Sequence, residues 1–240
     1  MVLAANALFA GCTTLVILAG CSSPAPTADE SPGAAPLTGP GASATVGGAP
    51  GSPSHRPPGP AVSAPPSTST GWTATVYYTA VLAYHTGPAE AVTGCPTLTC
   101  TRGHSDLGSY PRDFVAAVKD EGAGKIAAGR YLNWSSDTGY WLDTAARDTD
   151  GRALRPFVSA AADRDVLKAG TTFTILHCGP EVAAAVCRRL TAAHWTITDE
   201  FTPGLGGARH VDLYIGEETG PDFTDSDWYT TLEGATLAIG

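Results

Sequence analysis

The residues best suited to chemistry in this sequence are three aspartates in its C-terminal third. Asp163 follows a run of alanines, Asp199 precedes the glycine-rich residues 203–207, and Asp212 follows them. Carboxyl groups that share a site raise one another's pKa, because like charges disfavour ionisation. A carboxylic acid that stays protonated near neutral pH can act as a general acid on a leaving oxygen. The competing interpretation is structural, since aspartate favours turns by hydrogen-bonding to its own backbone.

The segments that must position these aspartates are predicted to be mainly short β-strands. The predicted strands are rich in β-branched and aromatic residues and are punctuated by glycine; they are residues 72–80, 172–176, 196–198, 211–215 and 235–239. Two segments carry apolar residues at helical spacing and are predicted to be helices, at 113–119 and 180–193. Short strands with one or two short helices favour a small β-barrel.

The order of these motifs resembles the three-aspartate domain, a six-stranded double-psi β-barrel. The membrane-bound lytic transglycosylase A family uses the same module as its catalytic barrel. The resemblance rests on an opening strand at 71–80, an alanine-rich strand ending in Asp163, a Gly-Thr strand after Gly170, Asp199 before the glycine-rich loop, and an Arg-His-x-Asp-x-Tyr strand that contains Asp212. In this chain the loop between the last two aspartates is longer than the family pattern.

The resemblance covers residues 71–80 and 159–240. Residues 81–158 match none of its motifs and are predicted to be an inserted, loop-rich region within one domain, 71–240. Such a domain is long enough to bury a core of its own.

The resemblance implies a peptidoglycan-cleaving enzyme, a lytic transglycosylase, with Asp212 as its general acid and base. Asp212 would protonate the bond between N-acetylmuramic acid and N-acetylglucosamine. As a carboxylate it would then help the muramoyl 6-hydroxyl attack its own anomeric carbon. Asp199 and Asp163 would tune the pKa of the acid or position the substrate. No cofactor or metal is expected, and hydrolysis would require a second carboxylate.

Four further residues are candidates for contacts with a sugar. His210 lies two residues before Asp212 and therefore on the same face of the strand, and Tyr214 follows on that strand. Trp134 and Trp141 lie in the inserted region among polar residues, where they can line a groove. Packing in the core is the default interpretation for each aromatic residue.

Two other functions remain open at this point. One is a non-catalytic, expansin-like lipoprotein module that binds cell-wall glycan on the same barrel. The other is a lipoprotein whose inserted region binds another protein. Residues 121–125 resemble a phosphate-binding loop only superficially, and the sequence has no Gly-x-Ser-x-Gly elbow. The acidic residues 222–227 lack the pattern of a calcium loop.

The cysteines of the predicted domain fall into two near pairs, Cys95 with Cys100 and Cys178 with Cys187. An even number of cysteines in an exported domain indicates disulfides. Four cysteines allow three connectivities, and we predict the local pairing. A zinc site is the alternative, but the intervals differ from the two intervening residues typical of zinc knuckles.

The beginning of the sequence predicts export. Residues 1–21 are apolar and uncharged, and Leu18-Ala-Gly-Cys21 resembles the bacterial lipobox, in which residues 1–20 are removed and Cys21 carries the lipid. A signal usually opens with lysine or arginine, which this one lacks. A plain secretory signal or an uncleaved anchor is the alternative.

Residues 21–70 are predicted to be a disordered tether behind the lipidated cysteine. They are rich in Pro, Gly, Ala and Ser, and cannot bury enough apolar surface to fold. As a flexible coil they would span roughly 40 Å. The whole chain of 240 residues has 14 Lys and Arg against 23 Asp and Glu, a net charge of −9. This balance argues against nucleic-acid binding. We expect an extracytoplasmic monomer, anchored to the membrane and facing peptidoglycan glycan strands.

Overall fold

A computed structural model describes residues 65–240. The predicted signal sequence, the lipidated Cys21 and nearly all of the predicted tether lie outside these residues. The strands within them are β1 Ser67–Val81, β2 Ala89–Gly94, β3 Ser105–Pro111, β4 Ala123–Ala127, β5 Arg130–Ser135, β6 Gly139–Asp143, β7 Ser159–Ala161, β8 Thr172–His177, β9 Trp195–Asp199, β10 His210–Glu217 and β11 Leu232–Ile239. The α-helices are α1 Arg112–Glu121 and α2 Ala184–Thr191. No helix within residues 65–240 is both long and apolar enough to cross a membrane.

Six strands close into a barrel. Neighbouring strands follow the order β10–β7–β9–β8–β11–β1, and β1 also pairs with β10 to complete the ring. The β1–β10 and β7–β9 pairs are parallel, and the other pairs in the ring are antiparallel. Closure satisfies the backbone hydrogen bonds that an open sheet would leave at its edges. This closed, mixed six-stranded barrel in a mainly β protein confirms the predicted fold class.

The first barrel strand is longer than its apolar pattern predicts. β1 begins at Ser67 rather than at Trp72, because residues Ser67 to Thr70 pair antiparallel with the end of β11. The ladder shifts register at Gly71, which has a positive φ of 74° that most side chains would strain to adopt. Long-range pairing therefore extends a strand into a Ser/Thr stretch that has no apolar alternation.

The barrel interior is filled by the inward-facing residues of all six strands. On β10, Val211 and Leu213 are fully buried in it, so Asp212 between them points to the opposite side of the sheet. The fully buried members of this core include Ala74, Ala160, Leu190, Trp195, Val211, Leu213, Leu232, Ala235 and Leu237. The alternation along β10 therefore presents an aspartate on the outer surface of a densely packed barrel.

The residues between β1 and β7 form a second layer, which we call the outer lobe (residues 82–158). β4 pairs parallel with the end of β1, β5 and β6 extend that sheet, and β2 with β3 forms a separate hairpin. Its buried apolar residues form a separate cluster together with Tyr78 of β1; the members from the lobe include Val92, Leu107, Phe114, Val118 and Leu132. The inserted region predicted to be loop-rich thus contains five strands and a helix outside the barrel.

Both predicted helices are present. α1 buries Phe114, Val115 and Val118, the residues whose spacing predicted it, and it ends at Gly122 in the left-handed conformation. α2 begins at Ala184 rather than at Pro180, and it buries Val186 and Leu190. The apolar periodicity thus predicts the existence of each helix, while its ends are decided by local geometry.

The two disulfides join the cysteines that are close in sequence, as predicted. Cys95 pairs with Cys100, with a Cα–Cα distance of 5.5 Å, and Cys178 pairs with Cys187 at 5.9 Å. The second bond connects the residue after β8 to α2. The local pairing is therefore confirmed.

Candidate active site

A cleft of about 240 Å³ opens between the barrel and the outer lobe. The barrel contributes residues from β1, β7 and β10 and the segment that follows β9. The outer lobe contributes the C-terminal end of α1, part of β5 and the loop that precedes β7. The cleft therefore depends on both layers of the structure.

Strand register brings two of the predicted aspartates together in this cleft. Asp212 on β10 pairs with Thr75 on β1 and, on its other side, with Ala161 on β7. Ala161 in turn pairs with Asp199 on β9. These four residues form a row across four neighbouring strands, and all four line the cleft. In this row the alanine at position 161 lies between the two aspartates.

The carboxyl group of Asp212 is held through one of its two oxygens. The Thr75 hydroxyl donates to Asp212 Oδ1 at 2.8 Å, and the backbone N–H of Leu213 donates to the same atom at 3.1 Å. Within residues 65–240, the structure has no hydrogen bond to Oδ2. The proton of the neutral acid therefore belongs on Oδ2, while Oδ1 serves as the acceptor.

The surroundings of Asp212 favour its protonated form. The side chain is half-buried, and this burial raises its pKa from the ordinary value of 3.8 to about 7. The two hydrogen bonds to Oδ1 oppose that shift, and the negative charge of Asp199 adds to it. A carboxyl group with such a pKa can donate a proton near neutral pH and take one back.

His210 is linked to the acid through the same threonine. Its Nε2 lies 2.9 Å from Thr75 Oγ1. Because the hydroxyl has one proton, which it gives to Asp212, the histidine must be the donor in this contact. Burial lowers the pKa of His210, so the neutral ring with its proton on Nε2 fits the site. The ring also packs against Phe201, with 4.5 Å between centroids.

Asp199 is held more tightly than Asp212. Its Oδ1 accepts the backbone N–H groups of Thr149 and Glu200, both at 2.9 Å, and its Oδ2 accepts the Tyr77 hydroxyl at 3.2 Å. Burial raises its pKa, while the two backbone donors oppose the shift. With both oxygens already bonded, Asp199 positions Tyr77 and the loop before β7, and acts on Asp212 through its charge.

Ion pairs hold that loop on the barrel. Arg152 donates to the buried Asp148 at 3.0 Å and to the carbonyl of Thr198 on β9 at 2.6 Å. Asp148 also accepts the backbone N–H of Arg152 at 2.7 Å. The outer lobe is therefore attached at the position where it contributes Thr149 to Asp199.

Asp163 does not line the cleft. Its carboxyl group packs directly against Gly206 in the glycine-rich loop, where any side chain on residue 206 would overlap it. Its charge acts on the ring of His210. The structure thus places this aspartate behind the loop rather than beside Asp199 and Asp212.

The predicted sugar-binding aromatics divide into two groups. Trp134 is half-buried and lines the cleft, with Lys119 Nζ 5.9 Å from its ring centroid. Trp141 is 1% exposed, and Tyr214 is 3% exposed with its hydroxyl 2.7 Å from that of Thr79. Neither of these last two rings offers a free face, which corrects their assignment as substrate contacts.

Glu121, at the end of α1, is the main residue of the cleft that the motifs did not indicate. It accepts hydrogen bonds from the Tyr78 backbone N–H at 3.2 Å and from the Tyr229 hydroxyl at 3.4 Å. Burial, followed by the charge of Asp212, raises its pKa to about 8. A glutamate before a helix-ending glycine is common on protein surfaces, so only the packing of the outer lobe reveals its position.

Across the described part of the chain, no group of three or more His, Cys, Asp or Glu side chains is arranged to hold a metal ion. The cleft residues themselves offer acid–base chemistry by carboxyl groups, with hydroxyl and imidazole groups holding them in place.

The fold is similar to solved structures of lytic transglycosylases. A membrane-bound lytic murein transglycosylase from Agrobacterium tumefaciens is 14% identical, with a TM-score of 0.48 over 70% of this chain and 73% of that one. Escherichia coli MltA with bound chitohexaose is 13% identical, with a TM-score of 0.45 over 70% and 71%. MltA from Neisseria gonorrhoeae is 12% identical, with a TM-score of 0.39 over 72% of each chain. No protein-family model and no curated protein matches the sequence.

Proposed function

We propose that this protein cleaves the glycan strands of peptidoglycan as a lytic transglycosylase, with Asp212 as its only proton donor and acceptor. The observation that carries the proposal is the carboxyl group of Asp212. It lines an open cleft, one of its oxygens is held by two donors, and its pKa is about 7. The motif pattern around this residue, described above, supplies the substrate class.

The proposed reaction uses Oδ2 of Asp212 in two steps. The acid first gives its proton to the glycosidic oxygen between N-acetylmuramic acid and N-acetylglucosamine, and the bond from that oxygen to the anomeric carbon breaks. Positive charge then develops at the anomeric carbon. The carboxylate next accepts the proton of the 6-hydroxyl group as this oxygen bonds to the anomeric carbon. The acid is restored, and the product is a 1,6-anhydro sugar.

The other carboxyl groups support this route over hydrolysis. A hydrolase needs a second carboxylate that is free to direct water or to bond to the sugar. Both oxygens of Asp199 are already bonded to donors from the fold. Glu121, with a pKa of about 8, is largely protonated at neutral pH and is therefore a poor base there. The intramolecular route requires neither of them as a base.

We further propose that the protein works outside the cytoplasm as a membrane-anchored monomer. The two disulfides agree with an oxidising compartment. The lipobox-like residues ending in Cys21 would supply the anchor, and the tether would carry the barrel towards the cell wall. Cys21→Ser should move the protein from the membrane fraction to the soluble fraction of cells that express it.

The test of the activity is mass spectrometry of peptidoglycan digested by the whole chain. The parent should release 1,6-anhydro-muropeptides, and Asp212→Asn should release none while it keeps its fold and its affinity for glycan. Asp137→Asn is the matched control, because this exposed aspartate lies outside the cleft. It should give the same products as the parent.

Two other outcomes would replace this function. Products with reducing ends instead of anhydro ends would identify a hydrolase and would make Glu121 the next residue to test. If neither the parent nor the variant releases products between pH 4 and 8, the protein is not this enzyme. Retained affinity for glycan in that case would favour the non-catalytic binding module.

A further inference from the structure

A second recess adjoins the cleft on the outer surface of the barrel. Its volume is about 130 Å³, about ten times the roughly 10 to 15 Å³ of such space that one water molecule needs. It is lined by Thr75, Val76, Tyr229, Thr230 and Thr231. Thr75 also lines the cleft and donates to Asp212, so the two spaces meet at the threonine that holds the acid.

Tyr229 forms an exposed aromatic wall of this recess. Its side chain is 45% exposed, which is unusual in a protein that buries most of its large aromatic rings. One edge of the ring is fixed by Tyr78 at 5.9 Å between centroids and an interplanar angle of 84°. The Tyr229 hydroxyl donates to Glu121, which lines the cleft. The ring is therefore held in position while part of its surface stays open to solvent.

The polar groups of the recess suit an uncharged ligand that is rich in hydroxyls. Beside Tyr229, Thr230 is half-buried and Thr231 is exposed, and both line the recess together with Thr75. The charge of Glu121, followed by burial, raises the pKa of Tyr229, so its phenol stays protonated as a donor. A tyrosine that combines an apolar face with a polar tip can contact the C–H face of a sugar ring while its hydroxyl remains bonded.

We propose that this recess, which we call the Tyr229 subsite, binds a sugar unit of the same glycan strand next to the unit at Asp212. This inference rests on the proposed function, because an acid that cleaves a bond inside a polymer must have sugar units on both sides of that bond. Thr75 lines both spaces, and Tyr229 is hydrogen-bonded to Glu121 of the cleft; this proximity selects the glycan itself as the occupant. Tyr229 then becomes a determinant of affinity for long strands.

The experiment measures the affinity of the whole chain for chito-oligosaccharides of two to six units by calorimetry. Asp212→Asn serves as the background, so that the ligand is not consumed. On this background, Tyr229→Ala should weaken binding of the six-unit ligand about tenfold, which equals about 1.4 kcal/mol. Binding of the two-unit ligand should change less than twofold. Tyr229→Phe keeps the ring and should bind within about twofold of the background at every length.

Tyr84→Ala is the matched control, because this tyrosine is 36% exposed but lines neither the cleft nor the recess. It should bind every ligand as the background does. Equal affinity of Tyr229→Ala and the background at all lengths would overturn the subsite. An equal loss at all lengths, or a background that binds none of the ligands, would do the same.

The same set of proteins distinguishes failure of the subsite from failure of the proposed function. If the parent releases anhydro-muropeptides and Tyr229→Ala binds as the background does, only the subsite is wrong. If affinity depends on Tyr229 and on length but no anhydro product forms, the subsite stands and the transglycosylase function is wrong.

Discussion

Replacing Asp212 with asparagine is expected to stabilise the fold above neutral pH while it abolishes cleavage. Folding raises the pKa of Asp212, so the folded state prefers the neutral acid. The stability that Asp212 contributes is therefore fully present below its ordinary pKa and is lost as the pH rises through its folded pKa. Asparagine resembles the neutral acid, since its Oδ1 can accept from Thr75 and Leu213 while its amide faces the cleft.

The size of the effect follows from the two pKa values of Asp212. They are 3.8 when the side chain is unperturbed and about 7 in the fold. With about 1.36 kcal/mol for each pKa unit, the advantage of the variant rises from near zero at pH 4 to an upper value of about 4 kcal/mol at pH 8. Because the side chain is only half-buried, screening by solvent reduces the expected gain at pH 8 to about 2 to 4 kcal/mol.

Urea denaturation of the parent and of Asp212→Asn at pH 4, 6 and 8 measures this difference. Asp113→Asn is the control, and its change in stability is expected to have the opposite sign. Burial acts to raise the pKa of Asp113, but hydrogen bonds from the backbone of Gly87 and Thr86 outweigh it and lower the pKa. That variant should therefore lose stability at neutral pH and match the parent at low pH. A difference for Asp212→Asn that does not change with pH would refute the assignment of this residue as a neutral acid in the fold.

The remaining predictions concern the support of the acid and of the barrel. Thr75→Val removes a donor to the carboxylate of Asp212, and a hydrogen bond to a charged group contributes about 1.5 to 3 kcal/mol. In the parent, the alkaline limb of the kcat–pH profile is expected near pH 7. In Thr75→Val this limb should move to higher pH by about 1 to 2 units, while Thr75→Ser should leave it in place. A limb that does not move in the valine variant would contradict the role of the hydroxyl. Replacing Cys178 and Cys187 together with serine should lower the free energy of unfolding by about 2 to 3 kcal/mol in urea denaturation, because the bond closes a short loop of the unfolded chain. Unchanged stability of the serine variant would show that this disulfide does not constrain the unfolded state.

Local pattern predicted five of the six barrel strands, and the sixth, β7, was indicated only by the resemblance of its alanine-rich motif. The alternation around Val211 and Leu213 predicted a strand, and the spacing of Phe114 and Val118 predicted a helix. These patterns arise because residues close in sequence share one buried face of a strand or helix. They can therefore be recognised without knowing which distant segments pack against that face. The start of β1 at Ser67 was missed because a partner strand, β11, provides its hydrogen bonds.

The outer lobe shows where local pattern stops being informative. β4, β5 and β6 have five or six residues each and contain glycine, asparagine and serine. Short polar strands have weak propensity by themselves and form because backbone partners and a packed face are available. The parallel pairing of β4 with the end of β1 provides both, and it joins residues that are far apart in sequence.

The sequence by itself predicted Asp212 as the reactive group, through its resemblance to a known family, and it predicted the local pairing of the cysteines. The two near pairs of cysteines can be recognised from their spacing, whereas the motif around Asp212 became informative only through the resemblance. Only the tertiary structure decided the chemistry of the carboxyl group. The pKa of an acid depends on what surrounds it, and Asp212 is buried beside Thr75 on β1 and Asp199 on β9, which only long-range folding brings together. The same packing buried Trp141, which residue type alone could not distinguish from an exposed tryptophan.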